Sequence, residues 1–238
     1  MAATRTHKSN LQILYEDNHL IAINKRCGDI VQGDQTGDLP LSEIVKSYIK
    51  EKYSKEGNVY LGVIHRLDRP TSGVVIFART SKALSRMNTL FKERQTEKSY
   101  WAIVKKTPEK RAGTLIHWLK RNQKKNVSTA FDKEVNDSKK AVLDYKIVSS
   151  SDRYTLLQVN LQTGRHHQIR VQLAKIGSPI KGDLKYGYSR SNPDAGIDLH
   201  SRSLSFMHPV KKELVKIVAP VPNTVLWQYF EKDIIEKT

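Results

Sequence analysis

Apolar positions fall along the chain in short, often alternating runs separated by turn-formers, with four stretches at helical spacing. Residues 11–15 (Leu-Gln-Ile-Leu-Tyr) and 20–24 (Leu-Ile-Ala-Ile-Asn) read as two short strands parted by the turn-forming Glu16-Asp17-Asn18. The stretch 28–38, with Gly28, Gly33 and Gly37, reads as a loop. Leu41, Ile44, Val45, Tyr48 and Ile49 recur on one helical face and predict a helix over 41–54, its lysines solvated. Val74–Ala78 is a continuous apolar strand. Ser81 is a candidate N-cap for a second helix, ending near Arg94, whose stripe is Ala83, Leu84, Met87, Leu90 and Phe91. Strands are predicted at 98–104, 127–131, 141–148 and 153–161. Ile169, Leu173 and Ala174 mark a helical face capped by Gly177, so Gly164 and Arg165 stand where a strand becomes a helix. Short strands at 199–201, 204–206 and 214–218 and an amphipathic helix on Val225, Leu226, Tyr229, Phe230 and Ile234 close the chain. With no repeat, linker or composition shift, this irregular order predicts a single α+β domain over 11–238 behind a disordered tail at 1–10.

Charge narrows the class of partner. The chain of 238 residues carries 41 Lys and Arg against 24 Asp and Glu, a formal net charge of +17, and a domain this basic is expected to meet a polyanion. A membrane surface is the weaker candidate, since the chain shows no basic amphipathic helix, lipidation site or long apolar run. No protein partner is evident, and a monomer is expected. Cys27 is the sole cysteine and Met1–Asn10 lacks an apolar signal core, so the expected location is the reducing cytoplasm. The most basic stretch, 105–125, sets Lys105, Lys106, Lys110, Arg111, Lys120, Arg121, Lys124 and Lys125 against Glu109, with His117 and Trp118 among them. It reads either as phosphate contacts with base stacking or as an exposed hairpin kept soluble by lysines; the overall charge favours the first.

Several chemistries lack their residues. His166 and His167 are adjacent and would diverge on a helix, and no His-Glu-x-x-His run occurs, so no metal is expected. Ser72 lacks a Gly-x-Ser-x-Gly elbow, and no phosphate-binding Gly-x-x-x-x-Gly-Lys-Ser/Thr loop is present. What stands out is Asp68 among two arginines and a histidine in His65-Arg66-Leu67-Asp68-Arg69-Pro70-Thr71-Ser72-Gly73. Pro70 disfavours helix at Arg69, so the segment is an extended loop. Asp68 is either a surface turn residue paired with a neighbouring arginine or a carboxylate held for nucleophilic work, with Arg165 as a possible cationic partner.

These residues resemble a known family. His65-Arg66-Leu67-Asp68-x-x-Thr71-Ser72-Gly73 is similar to the signature of the RluA-type RNA pseudouridine synthases, and Thr163-Gly164-Arg165-x-His167-Gln168-Ile169-Arg170 to their second motif. Residues 15–20 with Asn24-Lys25, Lys98-Ser99-Tyr100-Trp101-Ala102, Gly182-Asp183 with Tyr186-Gly187, Leu199-His200-Ser201 and His208-Pro209 extend the likeness over nearly the whole chain. The resemblance implies isomerisation of uridines in structured ribosomal or transfer RNA to pseudouridine without cofactor. It also implies a mixed, mainly antiparallel sheet with flanking helices, bisected by a basic cleft. By the same resemblance Asp68 is the essential nucleophile; attack on ribose, attack on the uracil ring and assistance to elimination are alternatives for its step. Tyr100 stacks on the target base, Arg165 ion-pairs with the nucleophile, and Arg66 enters the stack vacated by the flipped base. Ile169 packs under the uracil, and Arg170 either contacts phosphate or braces its loop. Arg26 replaces the proline usual after the motif lysine, which alters the local turn. With ten residues before the first strand, the chain is expected to lack the small N-terminal RNA-binding domain of many relatives. RNA affinity then falls to the catalytic domain, with Lys120, Arg121, Lys124 and Lys125 foremost. The alternative is a non-catalytic RNA-binding or RNA-folding protein on the same scaffold.

Overall fold

The computed structural model describes residues 5–236. In chain order they form β1 (Ile13–Glu16), β2 (Leu20–Lys25), α1 (Leu41–Lys52), β3 (Gly62–Val63), β4 (Ser72–Ala78), α2 (Ser81–Lys92), β5 (Thr96–Val104), β6 (Ala112–Asn122), β7 (Val127–Phe131), β8 (Lys139–Ser150), β9 (Thr155–Leu161), α3 (Gln168–Lys175), β10 (Leu199–Met207), β11 (Leu214–Val218) and α4 (Val225–Glu236). The fold is α+β. Where the sequence shows no internal boundary, the chain divides into two compact units: residues through Glu97 with Ser201–Pro220, and Lys98–His200 with the residues from Val221 on.

In the first unit the strands run in the order β1-β2-β4-β10-β11, with β3 also on β4. β2 and β4 pair antiparallel from Leu20↔Ala78 to Lys25↔Gly73. Every residue of β4 is buried, which is why its sequence is a continuous apolar run and not an alternation. Alternate residues of these strands, Leu20, Ala22, Val74 and Ile76, join Ala83 and Met87 of α2 and Leu204, Phe206 and Ile217 in one core. Burying each large side chain contributes about 1.5–3 kcal/mol. The N-cap of α2 is Thr80, one residue before the expected Ser81, because its hydroxyl accepts from the Ala83 N–H at 3.1 Å.

Residues 1–4 of the expected tail lie outside the described residues, but 5–10 are ordered. Thr6 is buried and donates from N and Oγ1 to the Asp29 carboxylate at 3.0 and 2.5 Å, and Lys8–Asn10 make a turn of 3₁₀ helix. A polar segment without a periodic pattern gives no sign of such long-range anchoring.

The second unit orders its strands β5-β9-β8-β6-β7, all antiparallel. Trp227 and Phe230 of α4 pack on Trp101, Ile103 and Leu156. Val171 of α3 packs on Leu119, Ala130 and Ala141. The basic stretch contains an eleven-residue strand, β6, whose inward side chains include His117 and Leu119, with lysines crowding both ends and hiding the alternation. The short strands expected at 199–201 and 204–206 are one strand, β10. α3 begins at Gln168, so Arg165 precedes the helix by three residues. Its end is as expected: Gly177 adopts φ 79°, and the N–H groups of Gly177 and Ser178 donate to the carbonyls of Ala174 and Leu173.

Gly73 opens β4 with φ 110°, and a Cβ there would drive into the backbone of Ser201. Gly73→Ala therefore meets a forbidden backbone conformation and a backbone clash together. We expect a loss of about 2 kcal/mol or more in urea unfolding; an unchanged midpoint would contradict this close approach.

Candidate active site

Asp68 lies in the loop joining β3 to β4, half-buried, between buried Leu67 and a turn closed by the Thr71 N–H donating to the Asp68 carbonyl at 3.0 Å. This loop is held from beneath. Lys25, 1% exposed at the end of β2, donates from Nζ to the carbonyls of Arg26 at 3.0 Å, Arg69 at 3.1 Å and Thr71 at 2.7 Å. That uses all three ammonium protons. The Gly28 N–H adds a 2.9 Å bond to the same Arg69 carbonyl. Arg69 itself pairs with Asp38, which also binds Arg5 at 2.6 Å. His65 accepts the Ile76 N–H at Nε2 and stacks on Phe91, fixing the loop's entry as Lys25 fixes its exit. Arg66 is exposed on the loop, clear of this anchoring.

In the second unit, Tyr100 sits in β5 opposite Val159 of β9 and is 7% exposed. Strand alternation puts it on the face away from Trp101 and Ile103, which pack with α4. Arg165 is exposed in the turn before α3. Its backbone N–H donates to Gln168 Oε1 at 2.9 Å, and the same oxygen accepts from Thr163 Oγ1 at 2.8 Å. Gln168 Nε2 donates to the Val142 carbonyl at 3.0 Å, tying the turn to β8. The Arg165 Nε donates to the Lys140 carbonyl at 3.0 Å, which sets the orientation of its guanidinium. Ile169 is buried in the first turn of α3. His166 and His167 stack with ring centroids 3.7 Å apart, ahead of the helix on which they were expected to diverge; His167 turns the chain at φ 56°.

Arg170 was expected either to contact phosphate or to brace its loop. It is 4% exposed, donates from Nε and Nη2 to both carboxylate oxygens of Asp183 at 2.7 and 2.8 Å, and lies over the Tyr186 ring. A guanidinium buried on a carboxylate in this way braces its loop. Lys120 and Arg121 at the end of β6, and Lys124 and Lys125 in the turn to β7, are exposed, with Lys120 3.7 Å from Asp137. Lys25, Thr163, Gln168 and Asp183 stand in the motifs quoted above, but their anchoring roles were not read from them. Asp38 stood in no motif and was missed. Among the described residues no group of three His, Cys, Asp or Glu side chains could hold a metal ion, and no helix is long and apolar enough to cross a membrane.

A profile of the RNA pseudouridylate synthase family matches residues 19–175, which hold both loops and Tyr100. The chain belongs to the RNA pseudouridine synthase family. It is 35% identical over 227 residues to the ribosomal large subunit pseudouridine synthase D of Xylella fastidiosa, covering 90% of this chain and 66% of that protein. It is 32% identical over 236 residues to the tRNA pseudouridine synthase C of Haemophilus influenzae, covering 92% and 95%. The chain thus spans about two thirds of the first relative and nearly all of the second. The structure of human RNA Pseudouridylate Synthase Domain Containing 4 matches with TM-score 0.76 at 24% identity over 94% of this chain, which establishes the shared fold. Pseudouridine synthases as a family isomerise uridine in RNA, so the two loops described above belong to an isomerase scaffold.

The Lys25 anchor has a signature in pH. Burial pushes its ammonium from 10.5 down to about 8, against the opposing pull of Asp29, Cys27 and Asp68. Between these values the unfolded chain keeps a proton that the folded protein has released, so this group makes stability rise with pH there. Relative to Lys25→Met, wild-type unfolding free energy should increase by about 2 kcal/mol between about pH 7.5 and 9.5 in urea titrations. A difference that stays flat over this window would contradict the buried ammonium.

Proposed function

We propose that this protein isomerises uridine to pseudouridine in a structured ribosomal or transfer RNA, with Asp68 as nucleophile and the two units acting as one catalytic domain. The observation that carries the reading is the Asp68 loop, fixed by Lys25 on the carbonyls of Arg69 and Thr71 within the family's matching segment. A carboxylate whose backbone is fixed in this way loses little orientational freedom on reaching the reacting carbon.

In the reaction the bond from the ribose to uracil N1 breaks, the base rotates, and ribose is rejoined at C5, which gives up its proton as N1 gains one. Asp68 assists the detachment, by attack on ribose, by attack on the ring or by promoting elimination. Arg165 supplies the cation that balances the carboxylate, and Tyr100 lies against the detached base with Ile169 beneath it. Arg66, exposed on the same loop as Asp68, fills the stack from which the base is flipped. Lys120, Arg121, Lys124 and Lys125 bind backbone phosphates. The lone Cys27 suits a reducing cytoplasm, and we take the protein to act as a monomer.

Asp68→Asn should keep RNA affinity and lower tritium release from transcripts carrying C5-tritiated uridine by about 10³-fold or more. Undiminished release would remove Asp68 from its role. Neutralising the four hairpin cations to Gln should weaken RNA binding. It should also flatten the dependence of affinity on log salt, by about 0.7 for each phosphate of single-stranded RNA that these cations neutralise. Filter binding with an unchanged slope would mean that these side chains are only solvated.

A further inference from the structure

His166 occupies the position left variable in the second motif, yet both of its ring nitrogens are engaged. Nδ1 lies 2.9 Å from Ser128 Oγ, and Nε2 lies 3.1 Å from Asn126 Oδ1. Ser128 Oγ also donates to the His166 carbonyl at 3.0 Å, so the hydroxyl bridges the ring and the backbone of one residue. Two further bonds hold the same turn between β6 and β7. Tyr186 Oη accepts the Ser128 N–H at 2.8 Å, which leaves its own proton for His167 Nδ1 at 2.8 Å. Lys185 Nζ donates to the Asn126 carbonyl at 3.1 Å. Asn126 stands in the left-handed region at φ 48°, so the turn has a specific shape to hold. Exposed Lys124 and Lys125 precede it immediately. On the other side of His166 is Arg165, whose own backbone and Nε are fixed by Gln168 and Lys140.

The cationic turn and Arg165 are therefore joined through one side chain. We propose that His166 is a positioning residue that ties the β6–β7 turn to Arg165, so that RNA phosphate gripped at Lys124 and Lys125 sets where the Arg165 guanidinium stands. Binding energy collected at the turn is thereby converted into alignment at the reacting base and not into affinity alone. The inference rests on the isomerase reading and on Arg165's part in it.

The test is a mutant cycle with His166→Ala and the paired change Lys124→Ala, Lys125→Ala. Each protein is measured for affinity and for single-turnover tritium release at saturating enzyme, on C5-tritiated transcripts of large-subunit ribosomal RNA and of tRNA. In the wild-type background, removing the lysines should lower both affinity and rate. In the His166→Ala background the rate should already be about tenfold lower, and removing the lysines should then lower affinity alone. His166→Asn, whose side-chain amide can bond Ser128 Oγ in place of Nδ1, should recover part of the rate. Rate losses that multiply independently in the two backgrounds, or an unchanged rate in His166→Ala, would overturn the proposal. Amide hydrogen exchange without RNA gives a readout independent of activity. Residues 122–128 and 163–168 should exchange faster together in His166→Ala, and an unchanged pattern would overturn the tie. Wild-type protein inactive on both RNAs would count against the isomerase reading itself, while exchange would still decide whether His166 joins the two segments.

Discussion

Lys25 brings a positive charge out of water at the end of β2 and gives its three protons to the carbonyls of Arg26, next to it in the chain, and of Arg69 and Thr71, just after Asp68. A buried ammonium is costly unless every proton finds an acceptor, so the loop cannot shift without exposing that cost. Two neighbouring constraints depend on the same geometry. Gly73, paired with Lys25 across the β2–β4 ladder, lets β4 approach the backbone at Ser201 where any side chain would collide. Arg69, whose carbonyl takes bonds from both Lys25 and the Gly28 N–H, turns its guanidinium to Asp38. Asp68 thus stands on a turn whose backbone is determined by the packing of the sheet beneath it.

The second unit solves the same problem without a buried lysine. The turn carrying Arg165 is held by neutral side chains, Thr163 and Gln168, which close on the backbone of β8 at Val142. The next layer is charged but fully paired, Arg170 with Asp183, at a site too buried for solvent to compete. Breaking such a pair leaves an uncompensated charge, so these residues fix the loop. The family's second motif therefore divides by function along its length. Arg165 is exposed, Thr163, Gln168 and Arg170 hold its turn, and His166 bonds Ser128 and Asn126 of the basic turn.

The sequence made some of this plain and concealed the rest, for identifiable reasons. Strands and helices with a clean period were legible to within a few residues, as in α1, β7 and β11, because burial on one face or both leaves a regular pattern. β6 was obscured because its cations are crowded at its ends, and residues 5–10 because long-range contacts such as Thr6–Asp29 and Arg5–Asp38 order them without any pattern. Asp68, Tyr100 and Arg165 were singled out through likeness to a family. What Lys25 and Asp183 do was not readable from the motifs that contain them, and Asp38 stood in no motif, since each acts through partners distant in sequence. Arg170 shows why: a motif arginine in a basic chain reads equally as a phosphate contact or a brace, and its burial and its pairing with Asp183 are not written in the sequence.

The account stands on Asp68 as the group that makes this protein an isomerase. The most direct measurement is chemical mapping of pseudouridines across ribosomal and transfer RNA from cells lacking the protein, and from the same cells supplied with the wild-type or Asp68→Asn chain. The account predicts at least one uridine position that is unmodified without the protein, is restored by the wild type and stays unmodified with Asp68→Asn. Maps that do not change on loss of the protein, or full restoration by Asp68→Asn, would contradict it.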